Sequence, residues 1–378
     1  MQVRQLGLKG ADGVTPDALA ALRAIDPQLV LAFGGTRAFR DPSLPARLAG
    51  AFPAAQRVGC STAGEISAEG SDDDTLLLSA LRFDHPGVHV AQTRLTDMDD
   101  SRAAGARVGG ALREKGAHTV LCFAPGTNIN GSALIEGMMS ALPGVRIAGG
   151  LAGDGADFQQ TFTLHDGEVG ADQVVAVGFS NDHLRAGFGS YGGWKPFGPA
   201  RQVTRARHNV LYELDGEPAL DVYKRYLGDH AQRLPSSGLL FPFSMLTGDR
   251  REVGLIRTIL SVCEADGSLT LAGDVIEQGY LQLMHASTDA LVEGATSAAE
   301  AATLPGDTPG FALLVSCVGR KLVMGGRTDE EVDAVVDVLG AQHAYAGFHS
   351  YGEISPGSSD VRCDLFNQTM TVTFLREA

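Results

Sequence analysis

Three stretches of the chain repeat one pattern: a short apolar run, a turn, an amphipathic segment, and a second apolar run that ends in glycine. The first goes from Leu29-Val-Leu-Ala-Phe-Gly-Gly35 to Arg57-Val-Gly-Cys-Ser-Thr-Ala-Gly64, with Leu44, Leu48 and Phe52 at helical spacing between them. The second goes from Thr119-Val-Leu-Cys-Phe-Ala-Pro-Gly126 to Val145-Arg-Ile-Ala-Gly-Gly150, with Leu134, Met138 and Leu142 between. The third goes from Phe311-Ala-Leu-Leu-Val-Ser-Cys317 to Ala346-Gly-Phe-His-Ser-Tyr-Gly352. Its middle opens on Thr328-x-x-Glu331, a capping-box pattern, followed by Val332, Val335, Val336 and Leu339. Apolar residues at i, i+4, i+8 between two strand-like runs describe a βαβ unit, which demands a parallel pair joined by a right-handed crossover. Further runs at Thr75–Phe83, Gln160–His165, Val174–Phe179 and Thr369–Phe374 have strand composition and are expected to pair antiparallel. The predicted fold class is therefore α/β, with mixed sheets and βαβ units.

The first and third units end alike. Gly59-Cys-Ser-Thr-Ala-Gly-Glu-Ile66 lies over Gly347-Phe-His-Ser-Tyr-Gly-Glu-Ile354. A duplicated strand-end corner implies two related halves whose corners face each other across a shared cleft. Asp215-Gly-Glu-Pro218 opens a predicted helix and marks the expected boundary, giving domains over 1–215 and 216–378. Gly294–Gly310 is poor in large apolar residues and reads as a surface connection.

Composition limits the function. Against 30 Lys and Arg stand 45 Asp and Glu, a net charge of −15. A surface this acidic repels phosphate backbones, and no basic patch offsets it, so nucleic acid is not an expected partner. No apolar run approaches the roughly 20 residues of a membrane span, and the N-terminus lacks the apolar core of a signal peptide. The five cysteines are widely spaced without CxxC, as expected of reduced, mostly buried thiols in a cytoplasmic protein.

Motifs for known chemistries are weak. Gly187-Phe-Gly-Ser-Tyr-Gly192 matches the dinucleotide glycine pattern, but Pro196 and Pro199 forbid the helix that should follow. Gly149-Gly-Leu-Ala-Gly-Asp-Gly155 lacks the lysine of a phosphate loop. Cys60 or Ser61, in a strand-end turn near Glu65, is a candidate nucleophile, which would make the chain an enzyme. The acidic runs Asp72-Asp-Asp74 and Asp97-Met-Asp-Asp100 lack calcium-loop spacing and read as solvated turns. His349 stands in the second corner where the first has Ser61, and a neutral imidazole at a strand end can ligate haem iron. His165, His183, His208 and His285 are weaker rivals.

Val58-Gly-Cys-Ser-Thr-Ala-Gly-Glu-Ile66, Ala148-Gly-Gly-Leu-Ala-Gly-Asp154 and Gly193-Trp-Lys-Pro-Phe-Gly-Pro199 with Val203-Thr204 resemble the N-terminal half of the FIST sensory domain. Leu271-Ala-Gly-Asp-Val275, Ser316-Cys-Val-Gly-Arg320, Gly347–Pro356 and Asn367-Gln-Thr369 resemble its C-terminal half. The ordered set spans roughly residues 25 to 375. The resemblance implies a non-enzymatic, free-standing sensory protein that binds a small ligand and signals to a separate partner, a histidine kinase or a cyclic-di-GMP enzyme. Within the family, the resemblance to haem-binding nitric-oxide sensors implies haem b, with His349 on the iron and Phe348 and Trp194 shielding the ring. The alternative is an amino-acid sensor without haem. There, Glu65 or Glu353 would hold an ammonium and Arg320 a carboxylate, with Cys60, Ser61, Thr62, Gly150, Asp154 and Tyr351 completing the ligand-binding set.

Overall fold

A computed structural model describes residues 1–357 and 362–378. It contains the three βαβ units, each with its parallel pair: Leu29–Gly34 with Gln56–Ser61, Thr119–Ala124 with Arg146–Leu151, and Phe311–Cys317 with Ala344–Ser350. Each pair belongs to its own six-stranded sheet, and the three sheets are built alike. In each, the unit's returning strand (Leu76–Arg82, Gln173–Phe179 or Met370–Glu377) runs antiparallel beside its first strand. Outside that lies an edge strand: Gln2–Leu8, Val88–Arg94 or Leu184–Tyr191.

The other edge of each sheet is donated by a neighbouring unit, in a cycle. Glu65–Ser67 and Gly70–Asp72, which follow the first unit, complete the third sheet beside Ala344–Ser350. Thr163–His165 and Glu168–Gly170, which follow the second, complete the first sheet. Gly352–Pro356 and Cys363–Phe366, which follow the third, complete the second sheet. One apolar cluster draws on all three sheets, with Phe33, Phe123, Val315 and Phe348 among its members. A glycine recurs at the same register of each parallel pair. A β-carbon on Gly59, Gly149 or Gly347 would stand 1.8, 2.1 or 1.7 Å from the carbonyl oxygen of Ala32, Cys122 or Leu314.

Residues 195–285 build a separate nine-stranded sheet with the helix Ala219–Leu227 and its own core around Tyr223 and Leu211. The helix begins four residues after Asp215, because Asp215-Gly216 is the turn of a short hairpin with Glu217–Pro218.

Three local expectations are corrected. Gly294–Gly310 is not a surface connection over its first half: Thr288–Ala302 is one helix. Its alanines Ala295, Ala298, Ala299 and Ala302 are buried because their small side chains let the helix lie close on strand Leu184–Tyr191. The glycines of Gly187-Phe-Gly189 serve that packing from within a strand. The capping box at Thr328 does not form. The Thr328 hydroxyl donates to the Gly325 carbonyl at 2.7 Å, and Glu331 turns inward to Arg320. The strand expected from Gln160 starts at Thr163, since residues 158–160 fold around Asp154.

Candidate functional site

The two corners meet. Strand Glu65–Ser67 pairs with Ala344–Ser350, the Ala63 amide donates to the His349 carbonyl at 2.9 Å, and the His349 amide donates to the Gly64 carbonyl at 2.8 Å. Their glutamates sit in matching cages. Thr62 donates to Glu65 Oε1, while the amide and hydroxyl of Thr75 donate to Oε2 at 2.8 and 2.6 Å. Ser350 donates to Glu353 Oε1 at 2.6 Å, while the amide and hydroxyl of Thr369 donate to Oε2 at 3.1 and 3.0 Å. Thr75 and Thr369 each immediately precede their unit's returning strand, so the equivalence extends beyond the corner sequence.

Burial pushes Glu353 up to about 8, against the pull of its Ser350 and Thr369 donors. A carboxyl raised on folding binds protons more tightly in the folded chain. Its contribution to stability is whole below about pH 4.5 and is lost as pH rises through about 8. The urea midpoint of the native chain should therefore fall between pH 5 and pH 8 relative to that of Glu353→Gln. Parallel pH profiles for the two proteins would show that Glu353 titrates normally. Glu65 is also raised by burial, opposed by its Thr62 and Thr75 donors.

The corners do not face each other across a shared cleft, because they are hydrogen-bonded directly to one another. A cleft of about 600 Å³ opens beside the first corner alone, and no residue of Gly347–Ile354 lines it. The first corner supplies Thr62, Ala63, Gly64 and Glu65, the loop beyond Arg146–Leu151 supplies Asp154 and Asp157, and helix Val318–Met324 supplies Val318, Lys321 and Leu322. Asp73 and Asp74 complete an acidic wall, so that run is more than a solvated turn. Lys321 Nζ donates to the Ala63 carbonyl at 2.9 Å and is ion-paired with Asp73.

The expected site residues divide. Thr62, Glu65 and Asp154 line the cleft. Asp154 is committed to the fold: it accepts from the amides of Phe158, Gln159 and Gln160 at 2.7–2.9 Å and from the Tyr351 hydroxyl, so its lone pairs are used. Tyr351 stacks on Phe158 at 4.2 Å beneath that loop. Arg320 is fully buried against Glu331 and holds no position at the cleft; its neighbour Lys321 does. Gly150 leaves room for the core, since a β-carbon there would stand 2.7 Å from Val315 Cγ1. Trp194 packs with Met284, Leu291 and Met324, its indole N–H on the Gln368 carbonyl at 2.8 Å.

The nucleophile reading loses its groups. Cys60 is fully buried, and burial holds its thiol well above the usual range, away from the reactive thiolate. Ser61 Oγ donates to the Gly153 carbonyl at 2.7 Å and accepts the Phe162 amide at 2.8 Å, and among the described residues no histidine or carboxylate hydrogen-bonds to it.

The surroundings of His349 do not fit a haem. The imidazole is fully buried, and burial keeps it neutral. Its Nε2 is 2.9 Å from Ser71 Oγ, and Nδ1 is shut away from solvent without a hydrogen bond. Phe348 points into the core, 4.9 Å from Phe33, and Trp194 belongs to another cluster. The nearby cleft is walled by carboxylates and a lysine rather than by the two apolar faces a porphyrin needs. Among the described residues no group of three or more His, Cys, Asp or Glu is placed to hold a metal ion, and no helix is long and apolar enough to cross a membrane.

Lys321 and Asp157 were not singled out in the sequence, and Asp73 and Asp74 were read there only as part of a solvated turn. The usable signal was topological: Lys321 lies on the helix Val318–Met324 that directly follows strand Phe311–Cys317, and such segments start at the C-terminal ends of the strands, where the corners also lie.

An uncharacterized protein of Mycobacterium tuberculosis is 29% identical over 265 residues, covering 67% of each chain. An uncharacterized protein of Mycobacterium bovis is 29% identical over 232 residues, covering 59% of each. A cyanuric acid hydrolase from A. caulinodans aligns over 100% of this chain and 98% of its own at 12% identity, with a TM-score of 0.36 too low to carry any argument. The FIST N domain model matches residues 28–217 and the FIST C domain model residues 219–356. With nearly the whole chain accounted for by these two models, the protein belongs to the FIST family of sensory domains.

Proposed function

We propose that the chain senses an amino acid or a similar small zwitterion in the strand-end cleft. The observation that supports this reading is one open cleft, of a size that suits such a ligand, where both signs of charge meet a short apolar surface. The exposed carboxylates of Asp74 and Asp157 suit an ammonium group. Lys321 suits a carboxylate, and the exposed Leu322 beside Val318 suits an aliphatic stem. A ligand carboxylate competes with Asp73 for Lys321, which also holds the first corner through the Ala63 carbonyl. That competition gives the differential contact a switch requires. The signal then passes to a separate protein, of the histidine kinase or cyclic-di-GMP enzyme kind that the family resemblance implies.

A thermal-shift screen of the whole chain against the common amino acids tests the reading. A ligand at about 100 Kd adds about 2.7 kcal/mol and raises Tm visibly. Lys321→Met should weaken the responding ligand at least about tenfold, or about 1.4 kcal/mol. The reading fails if no amino acid shifts Tm, or if added haem gives a Soret band that His349→Ala removes.

A further inference from the structure

A second crevice, of about 250 Å³, lies between helix Gly131–Ala141 and the nine-stranded sheet, away from the strand-end cleft. Arg257 lines it and is only 3% exposed. Its Nε donates to the Asp274 carbonyl at 3.0 Å, and its Nη1 donates to the carbonyls of Ile256 and Leu365 at 3.0 and 3.1 Å. Among the described residues Nη2 has no hydrogen-bond partner, and no carboxylate contacts the guanidinium. Asp274 Oδ1 takes the Asn130 amide at 3.0 Å, Asp364 faces Arg362 at 3.6 Å, and Glu136 is paired with Arg102 at 2.9 Å. Burial draws the Arg257 guanidinium down to about 10, against the opposing charges of Asp274 and Asp364, which line the same crevice without a carboxylate contact to it.

A second polar group waits at the same place. Ser132 Oγ is buried without a partner. The point where a β-carbon on Gly273 would stand is 3.0 Å from both Ser132 Oγ and Arg257 Cζ, so hydroxyl and guanidinium converge on the glycine. The remaining wall is mostly apolar, with Met139, Met245 and Val275 among its members. A buried cation with idle donors is costly, and an anion is the partner that relieves it.

We infer that this crevice binds a small organic monocarboxylate, its head on Arg257 Nη2 and Ser132 Oγ and its tail among Met139, Met245 and Val275. At about 30 Å³ per water-sized atom the space holds roughly eight non-hydrogen atoms, a carboxylate with a tail of about five carbons. The anion would then tie the helix of the second βαβ unit to the nine-stranded sheet.

Calorimetric and thermal titration of the whole chain with sodium hexanoate tests this, against sodium chloride and hexylammonium chloride at equal ionic strength. Hexanoate should give saturable heat and raise Tm by a few degrees, and hexylammonium should do neither. Met139→Trp, which fills the crevice from a half-buried position, should weaken hexanoate at least about tenfold while melting cooperatively. Arg257→Lys, which keeps the charge but loses the fork, should weaken it similarly if it folds. Three results would each overturn the inference: no saturable hexanoate binding at tens of millimolar, equal binding of hexylammonium, or unchanged binding by a folded Met139→Trp. An amino-acid response at the strand-end cleft is read separately in the same proteins, so the two sites stand or fall independently.

Discussion

Arg320→Met should destabilise the protein by about 3–5 kcal/mol, since it strips the counter-ion from a carboxylate that no water reaches. Arg320 and Glu331 are both fully buried, joined from Nε and Nη2 to the same Oε2 at 3.0 and 2.8 Å. Ser316 donates to the other carboxylate oxygen at 2.7 Å. The guanidinium also donates to the Gly192 carbonyl and, at 2.9 Å, to that of Leu291. One side chain therefore ties helix Val318–Met324 to helix Asp329–Leu339, to helix Thr288–Ala302 and to the segment after strand Leu184–Tyr191. The double variant Arg320→Met with Glu331→Leu should recover part of the loss, because the stranded charge is gone while the two carbonyls stay unpaired. Urea midpoints of the single and double variants measure both effects. A single-variant cost under about 1 kcal/mol would mean that Glu331 finds water or a proton without the arginine. In either case the amino-acid binding proposed for the strand-end cleft should not depend on Arg320, since Lys321 and not Arg320 lines that cleft.

The parts of the fold legible in the sequence were those written in large apolar residues. Leu29–Gly34, Thr119–Ala124 and Phe311–Cys317 are fully buried strands and read as such, and their crossover helices announced themselves by spacing. The twin Gly-Glu-Ile corners were legible because their glutamates need the same hydroxyl three residues before, Thr62 or Ser350, and the same threonine before the returning strand. What escaped was written in small residues or in charge. Thr288–Ala302 buries a face of alanine and glycine, which carries little hydrophobic signal although it packs as closely as a leucine face. The cyclic exchange of edge hairpins among the sheets joins residues such as Ser67 and Ala346, far apart in sequence, and no local pattern encodes such pairing. Beside the buried Glu65 and Asp154, the cleft's charged wall is made of exposed carboxylates and one lysine, which look like ordinary surface until the fold gathers them. His349 misled for the opposite reason. Its type suggests a ligand, but its register on a central strand buries it beside Ser71.

Gly189→Val should destabilise the protein by roughly 3 kcal/mol or more, at or beyond the upper end of overpacking costs, because the obstacle is main chain rather than a side chain able to turn away. A β-carbon at Gly189 would stand 1.9 Å from the Ala298 carbonyl oxygen, and one at Gly187 would stand 1.9 Å from that of Ala302. Both glycines lie two apart on one strand face, and Ala298 and Ala302 lie one turn apart on the helix, so the two contacts form a single seam. Relieving either clash means lifting helix Thr288–Ala302 off the sheet and opening the cluster that holds Ala295, Ala299, Val372 and Phe374. Gly110→Ala is the matched control. Nothing lies within 4 Å of a β-carbon there, on helix Ser101–Arg113, and the change should stabilise by about 0.5–1 kcal/mol. Urea midpoints of the two variants should therefore move in opposite directions. Were Gly187-Phe-Gly189 a phosphate-binding turn, Gly189→Val would remove nucleotide binding and leave stability near native. A midpoint within about 0.5 kcal/mol of native would show that the helix yields without cost, and the close seam would then not be what fixes glycine at these positions.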